Sequence, residues 1–153
     1  MRHPLVVIVL LSLLLGTSCR LKVSFFVANL SSRTIHVEYA VPCQPDCPSP
    51  TLIAVRTLRH DGTNVHGDRP APAAVQGRVD SLVSYALDLP PDSAVRIFGG
   101  GTDFSGTVRD FQDQFPRVRI TVDTGQAARS YQGLALGEAF HKWHKLVHVL
   151  EVR

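Results

Sequence analysis

The chain has 153 residues, of which 44% are hydrophobic and 19% charged, with 16 Lys and Arg against 13 Asp and Glu. This length suits one globular domain, and the hydrophobic share is too high for an intrinsically disordered chain. The net charge of +3 is small and the basic residues are dispersed, so the sequence gives no support to nucleic-acid binding.

The first residues have the pattern of an export signal. Met-Arg-His-Pro precedes an apolar stretch from Leu5 to Leu15 that only Ser12 interrupts. A stretch of about 11 residues has the length of a signal-peptide core, whereas a membrane-spanning helix needs about 20 apolar residues. The sequence therefore predicts export rather than a transmembrane span.

Small residues precede a cysteine at the end of this stretch, in Leu15-Gly16-Thr17-Ser18-Cys19. This segment resembles the lipobox of bacterial lipoproteins, with Gly16 where that family usually has Leu, and the resemblance ends at Cys19. It implies removal of residues 1–18, lipidation of Cys19, a short tether over residues 19–21 and attachment to a bacterial membrane by acyl chains. The residue directly after the cysteine is Arg20 and not an acidic residue, which favours the outer membrane. The alternatives are a plain secretory signal with a soluble product and an uncleaved anchor.

Two further cysteines, Cys43 and Cys47, lie in a proline-rich segment. With Cys19 acylated they form an even pair, and an exported protein meets an oxidising compartment, so we predict a Cys43–Cys47 disulfide. Free thiols are one alternative. A metal site is another, but it would need ligands such as His36 or His60, because zinc takes about four nitrogen or sulfur ligands.

The first half of the mature chain shows strand patterns. Apolar and polar residues alternate over residues 21–28 and 34–41, and the turn residues between them predict a hairpin that opens the domain. Residues 51–58 predict a weaker third strand. Residues 60–72 are polar with Gly and Pro, which predicts a long loop.

The second half continues in the same way. Residues 79–89 predict a strand, and residues 93–98 predict another that ends at Gly99-Gly100-Gly101. Residues 117–123 show the most regular alternation in the chain, and residues 129–133 are expected to return beside them as a short partner strand.

Near the C-terminus, Leu136, Phe140, Trp143 and Val147 are three or four residues apart, which predicts one or two helical turns. Residues 146–152 include apolar residues at both odd and even positions, which predicts a central strand with both faces buried. Together these patterns predict a single all-β domain over residues 19–153. We expect an antiparallel two-sheet sandwich, immunoglobulin-like in architecture only, with about seven or eight strands and at most one short helix.

Three histidines, His141, His144 and His148, lie close together in the sequence, and imidazole is a common metal ligand. Lys142 and Lys145 lie between them and would repel a cation. No glutamate occupies the position that a zinc-protease helix requires. We therefore expect these histidines at the surface or rim, without a metal, and keep His141 and His144 as weak metal candidates.

Aromatic residues in or beside the predicted loops are candidates for ligand recognition. The weak ligand-binding candidates are Phe104, Tyr131 and Trp143, with Phe111 and Phe115 nearby. The alternative is that these side chains form a small hydrophobic cluster that covers one end of the sandwich.

Recognisable catalytic motifs do not occur. The serines near acidic residues lack the Gly-x-Ser-x-Gly context of a nucleophile elbow, and the glycine-rich stretch from Gly99 to Gly106 lacks the Lys and following helix of a phosphate loop. We therefore expect no enzymatic activity and no cofactor. The leading hypothesis is a membrane-anchored lipoprotein that acts as a binding or structural domain of the cell envelope, with a protein or glycan partner. A soluble secreted glycan- or protein-binding domain is the alternative, followed by a metal-dependent enzyme that uses the C-terminal histidines.

Overall fold

A computed structural model describes residues 21–42, 50–61, 69–70, 74–79, 82–102, 118–144 and 147–153. The strands are β1 (Leu21–Asn29), β2 (Ile35–Pro42), β3 (Thr51–Ala54), β4 (Arg69–Pro70), β5 (Ala74–Val79), β6 (Leu82–Leu89), β7 (Ser93–Thr102), β8 (Arg119–Asp123), β9 (Ala128–Gln132), β10 (Phe140–His144) and β11 (Val147–Val152). The helices are α1 (Val55–Asp61) and α2 (Leu134–Ala139). Within the described residues, no helix has the length and apolar character needed to cross a membrane.

The strands form two sheets, which we name the first and the second sheet. The first sheet has six strands in the order β10-β11-β1-β7-β3-β4, and the second has five in the order β5-β6-β2-β8-β9. Neighbouring strands are antiparallel except β1 and β11, which run parallel. The prediction of an all-β, two-sheet antiparallel sandwich is confirmed, and the pair β1 and β11 is its one parallel pair among the described strands. The described residues contain eleven strands and two helices, more than the sequence predicted.

The main core lies between the two sheets and arises from period-two alternation, which sends every second side chain to the same face. Four residues of β2 point into it, and the residues between them are exposed or half-buried. The same alternation in β6 and β8 directs further side chains into this core. The buried contributors from β2, β6 and β8 are Ile35, Val37, Tyr39, Val41, Val83, Tyr85, Leu87, Leu89, Ile120 and Val122.

A second hydrophobic cluster covers the outer face of the first sheet. Helix α1 lies there and contributes Val55 and Leu58, which are three residues apart and share one side of the helix. They pack with Phe26 of β1 and with residues of β3, β7 and β11. Strand β1 is therefore buried on both faces over residues 23–29, although apolar and polar residues alternate in part of its sequence.

The same packing corrects the strand predicted over residues 51–58. The strand ends at Ala54 and α1 begins at Val55, whose N–H donates a hydrogen bond to the Asp92 carbonyl at 2.9 Å. Residues 52–55 alone are compatible with a strand, but burial of Leu58 against the outer face of the first sheet favours the helical turn.

The predicted hairpin of β1 and β2 is also wrong, because the two strands belong to different sheets. The chain crosses between the sheets over residues 30–34, and the fully buried side chain of Asn29 fixes this crossing. Its Nδ2 donates to the carbonyls of Arg33 at 2.7 Å and Leu89 at 2.8 Å. Turn residues are the same in hairpins and in crossings, so only the packing of the two sheets distinguishes them.

Three other strand boundaries differ from the predictions. Strand β7 continues through the three glycines to Thr102, because Gly99, Gly100 and Gly101 pair with β1. The strand predicted over residues 79–89 begins at Leu82 as β6, because Val79 is the last residue of the preceding strand β5. Residues 140–144 form β10 instead of continuing a helix, because they pair with β11. The regular strand β8, its partner β9 and the central position of β11 are confirmed.

Candidate binding cleft

A cleft of about 250 Å³ lies at one end of the sandwich, between the β8–β9 hairpin and the C-terminal end of β11. We call it the hairpin cleft. It is bounded by the core residues Val122 and Val152, and its polar lining comes from Thr124, Gln126, Arg129, Tyr131, Glu151 and Arg153. The two sheets thus contribute opposite walls, and the site requires the folded sandwich.

The hairpin turn shapes one wall. Thr124 N–H donates to the Ala127 carbonyl at 3.2 Å, and Gly125 adopts a positive φ of 77°. The Gly125 N–H donates to Asp123 Oδ1 at 2.7 Å, an Asx-type contact that satisfies the turn backbone. These local bonds fix the loop over residues 124–127 at the mouth of the cleft.

Strand pairing directs Arg129 and Tyr131 towards the cleft. Arg129 is opposite Val122 and Tyr131 is opposite Ile120, and both partners point into the core. Opposite residues in an antiparallel pair lie on the same face of the sheet. Tyr131 is therefore half-buried against the core, whereas Arg129, close to the turn of the hairpin, is exposed.

Glu151 supplies the negative charge on the other wall. Its Oε1 accepts a hydrogen bond from Trp143 Nε1 at 2.8 Å, and its Oε2 accepts from Arg153 Nη2 at 2.7 Å and Nε at 3.2 Å. The Trp143 hydrogen bond lowers the pKa of the Glu151 carboxyl most, opposed by partial burial and assisted by Arg153. Glu151 is therefore ionised at neutral pH and its charge is balanced by Arg153.

Arg129 provides a cation that no acid in the cleft balances. Within the described part of the chain, no carboxylate lies within 4 Å of its guanidinium. Guanidinium groups bind carboxylates through two parallel hydrogen bonds, and the neighbouring Tyr131 offers an aromatic ring with a hydroxyl. The cleft can therefore accept a ligand that combines an acidic group with apolar surface.

A second depression of about 300 Å³ lies on the outer face of the second sheet, between outward-facing side chains that include Glu38, Ser84 and Arg119. The second sheet alone forms the floor of this depression, whereas both sheets contribute walls to the hairpin cleft. A site with two walls encloses more of a ligand, so the hairpin cleft is the stronger candidate.

The three C-terminal histidines do not converge. The register shift in β10 places His141 and His144 on the outer face of the first sheet, where His144 Nε2 contacts the Arg59 carbonyl. His148 is 4% exposed and its ring stacks on Phe25 with centroids 5.2 Å apart, so the expectation of a surface or rim position for His148 is wrong. Strand β11 is central, and its even-numbered residues face the main core. In the described ranges, no group of three His, Cys, Asp or Glu could hold a metal ion.

The predicted aromatic candidates have different environments. Tyr131 lies on β9 at the hairpin cleft. Trp143 lies on β10, where the Arg59 guanidinium covers its ring at 4.7 Å and its Nε1 bonds Glu151. Phe104 lies outside the described residues, as do Cys19, Cys43 and Cys47 and the predicted lipid anchor and disulfide.

Arg129, Glu151 and Arg153 were not predicted as site residues. The turn at Asp123-Thr124-Gly125 was recognisable in the sequence, but β11 follows the hairpin only after α2 and β10. No local pattern indicates that these segments meet across the sandwich. Among the residues named for the cleft, only Tyr131 was indicated by the sequence, as an aromatic residue beside a predicted turn.

Comparisons with protein-family models, with curated proteins and with solved structures give no match to this chain.

Proposed function

We propose that the protein is a non-catalytic, lipid-anchored binding protein of a bacterial cell envelope, which presents the hairpin cleft to a partner away from the membrane. The observation that carries the proposal is the position of strand β1. It begins at Leu21, so a single residue, Arg20, separates it from the predicted lipidated Cys19. Such a tether spans only about 7 Å between the Cα atoms of Cys19 and Leu21.

A tether of this length would hold the N-terminal end of β1 at the bilayer surface. The nine residues of β1 extend about 26 Å along the strand axis, and the far end is Asn29. The hairpin cleft lies at that far end, because Val152, which bounds it, pairs with Asn29 and accepts a hydrogen bond from Leu30 N–H at 2.7 Å. The anchor and the cleft would therefore occupy opposite ends of the domain.

The chemistry of the cleft is consistent with recognition. Glu151 is balanced by Arg153 and fixed by Trp143, which suits a rigid wall. Arg129 is exposed and can turn towards an incoming ligand. Several acyl chains hold a protein on a membrane far more firmly than one, at about 0.8 kcal/mol per buried methylene, so such an anchor would keep the cleft at a fixed height above the surface.

Expression of the full chain in a bacterium, followed by fractionation and mass spectrometry, tests the anchor. We expect the wild-type protein in the membrane fraction, with an N-terminal peptide that begins at Cys19 and carries acyl chains. Cys19→Ser should move to the soluble fraction or remain uncleaved, whereas the matched control Cys43→Ser should stay acylated in the membrane fraction. A processed wild-type protein that begins elsewhere, or lacks acyl chains, would overturn the proposal in favour of a soluble secreted protein.

A further inference from the structure

The four sheet edges within the described residues differ in how they discourage the addition of another strand. Strand β4 has two residues and ends in Pro70. Strand β5 has a register shift between Val75 and Gly77. Strand β10 has a shift between Lys142 and His144, and Lys142 is exposed. Short strands, prolines, bulges and lysines are the devices that protect edges from pairing.

Strand β9 has none of these devices. Its five residues, Ala-Arg-Ser-Tyr-Gln, keep an unbroken register with β8 and include no Pro or Lys. Four of them are exposed, and Tyr131 is half-buried against the core. Strand β9 is therefore the regular, accessible edge of the second sheet.

The pairing pattern shows which backbone groups face outward along this edge. The Thr124–Ala127 hydrogen bond closes the hairpin, and hydrogen-bonded pairs alternate along an antiparallel ladder. The bonded pairs are therefore Val122 with Arg129 and Ile120 with Tyr131. It follows that Ala128, Ser130 and Gln132 direct their N–H and C=O groups away from β8. The 2.8 Å contact between the Thr121 and Ser130 hydroxyls agrees, because side chains approach most closely in non-bonded pairs.

We propose that β9 is the docking strand for an extended, acidic segment of a partner protein, which adds to the second sheet as a sixth strand. The main-chain groups of Ala128, Ser130 and Gln132 would bond the segment. A carboxylate of the segment would meet Arg129, and an apolar residue two positions away would meet Tyr131, because residues two apart share one face. This inference rests on the proposed function and names the partner of the same cleft, since Arg129 and Tyr131 line it.

A partner segment fits better than a second copy of the chain. If two copies paired their β9 strands in antiparallel fashion, a two-fold axis perpendicular to the sheet would relate the copies and their strands would run in opposite directions. The lipid-anchored ends of the two copies would then point to opposite sides. Two copies in one bilayer cannot meet in this way. The same pairing would also leave Arg129 without an acidic partner, because β9 contains no acid.

A peptide titration of the processed, full-length protein in detergent micelles, followed by NMR and amide hydrogen exchange, tests the docking strand. The probe is the end-capped heptapeptide Thr-Thr-Glu-Thr-Phe-Thr-Thr, whose Glu is its only charged residue, and its control has Lys in place of Glu. We expect saturable binding of the probe, with amide exchange at Ala128, Ser130 and Gln132 slowed about tenfold and exchange at Arg129 and Tyr131 nearly unchanged. Slowing that does not alternate, changes at other strands, or equal binding of the control peptide would overturn the proposal.

Two pairs of variants sharpen the test. Arg129→Glu should weaken probe binding about tenfold or more, whereas Arg119→Glu, a matched exposed arginine on the other face of the same hairpin, should not. Ser130→Pro removes an outward N–H and should abolish binding, whereas Thr121→Ala, which loses the same hydroxyl contact, should preserve it. Equal effects of the two variants in either pair would refute the assignment of β9 as the docking strand. Protection of the β9 amides by dimerisation in the absence of peptide would also refute it. Because the titration does not depend on acyl chains, it can fail or succeed independently of the fractionation experiment.

Discussion

Trp143 Nε1 donates a hydrogen bond to Glu151 Oε1 at 2.8 Å, which joins the edge strand β10 to the central strand β11. The Arg59 guanidinium covers the same indole ring at 4.7 Å from helix α1, so one side chain connects three elements. Glu151 also lines the hairpin cleft. Trp143 therefore stabilises the outer face of the first sheet and, through Glu151, one wall of the candidate site.

Replacement of Trp143 by Phe should keep most of the apolar contact and remove the hydrogen bond to Glu151. We expect the free energy of unfolding to fall by about 1–2 kcal/mol at neutral pH, because the bond has an ionised acceptor. The pKa of Glu151, which folding lowers from the ordinary 4.5, should rise in the variant. A lowered pKa stabilises the fold above the unfolded-state pKa, and that contribution disappears as pH falls through the folded-state pKa.

The measurement is chemical denaturation of both proteins at pH 7 and near pH 3, with the pKa of Glu151 followed by NMR. The difference between the two proteins should narrow at the lower pH. Arg59→Ala is the control, because it removes the cation over the ring and leaves the hydrogen bond in place. A Trp143→Phe effect that is the same at both pH values would show that the hydrogen bond to Glu151 is not its cause.

The second hydrophobic cluster can be tested at Leu58. This side chain is fully buried beneath helix α1, so Leu58→Ala should lower the free energy of unfolding by about 2–4 kcal/mol through lost burial and a residual cavity. Leu134 is 78% exposed on helix α2, so Leu134→Ala should change stability by less than about 0.5 kcal/mol. Thermal and urea unfolding of the two variants check this. A small effect at Leu58 would mean that α1 is not packed on the first sheet.

The sequence predicted the parts of the fold in which a strand has one buried face. The predicted alternation in β2 and β8 agrees with the structure because their outer faces contact solvent, where polar residues are favoured. Strand β1 has the same alternation over part of its length, but Phe26 and Ala28 on its other face are covered by the second cluster. A cover supplied by residues 55 and 58 leaves no periodic signal in β1 itself.

The candidate site was largely inaccessible to sequence reasoning for a related physical reason. Arg129 and Glu151 belong to separate sheets, and their approach depends on how those sheets pack. His148 shows a different difficulty. A histidine in a segment that also contains Lys142 and Lys145 suggests a surface position, but the central strand β11 buries its side chain. Local composition therefore identified the strands better than it identified which faces are covered.

A pH-dependent contact lies on the outer face of the second sheet. His36 Nδ1 is 2.8 Å from Asp88 Oδ1, and His36 Nε2 is 3.5 Å from Glu38 Oε1. The hydrogen bond with Asp88 raises the pKa of His36, opposed by partial burial and assisted by the charges of Asp88 and Glu38. A raised pKa contributes stability below the unfolded-state value of 6.5, and this contribution is lost as pH rises through the folded-state pKa.

Asp88→Asn should therefore lower the pKa of His36 and destabilise the protein at about pH 5.5 more than at pH 8.5. The imidazole is 43% exposed, so solvent screening limits the effect to about 0.5 kcal/mol. NMR titration of His36 and urea unfolding at both pH values measure it. Glu38→Gln is the control and should shift the pKa of His36 less. An unchanged pKa in Asp88→Asn would contradict the assigned contact.

The crossing between the sheets depends on the amide of Asn29. Its Nδ2 donates to the carbonyls of Arg33 and Leu89, and its Oδ1 accepts from the Ser31 N–H at 3.0 Å and hydroxyl at 2.7 Å. The side chain is fully buried, so Asn29→Ala should cost about 2–3 kcal/mol by leaving buried groups without partners. Ser31→Ala, which removes only the hydroxyl contacts, should cost less.

Asn29→Asp separates the hydrogen bonds from the shape of the side chain. The substitution keeps the volume but brings a carboxylate oxygen against the Arg33 and Leu89 carbonyls, so it should cost more than about 3 kcal/mol at pH 7. Burial would raise the pKa of the new carboxyl, and the protonated form can donate one hydrogen bond, so the loss should diminish as pH falls below about 5. Urea unfolding of the two Asn29 variants between pH 4 and pH 7 measures this. If the stability of Asn29→Asp relative to Asn29→Ala does not improve towards acid pH, then donation by Nδ2 is not what joins the two sheets.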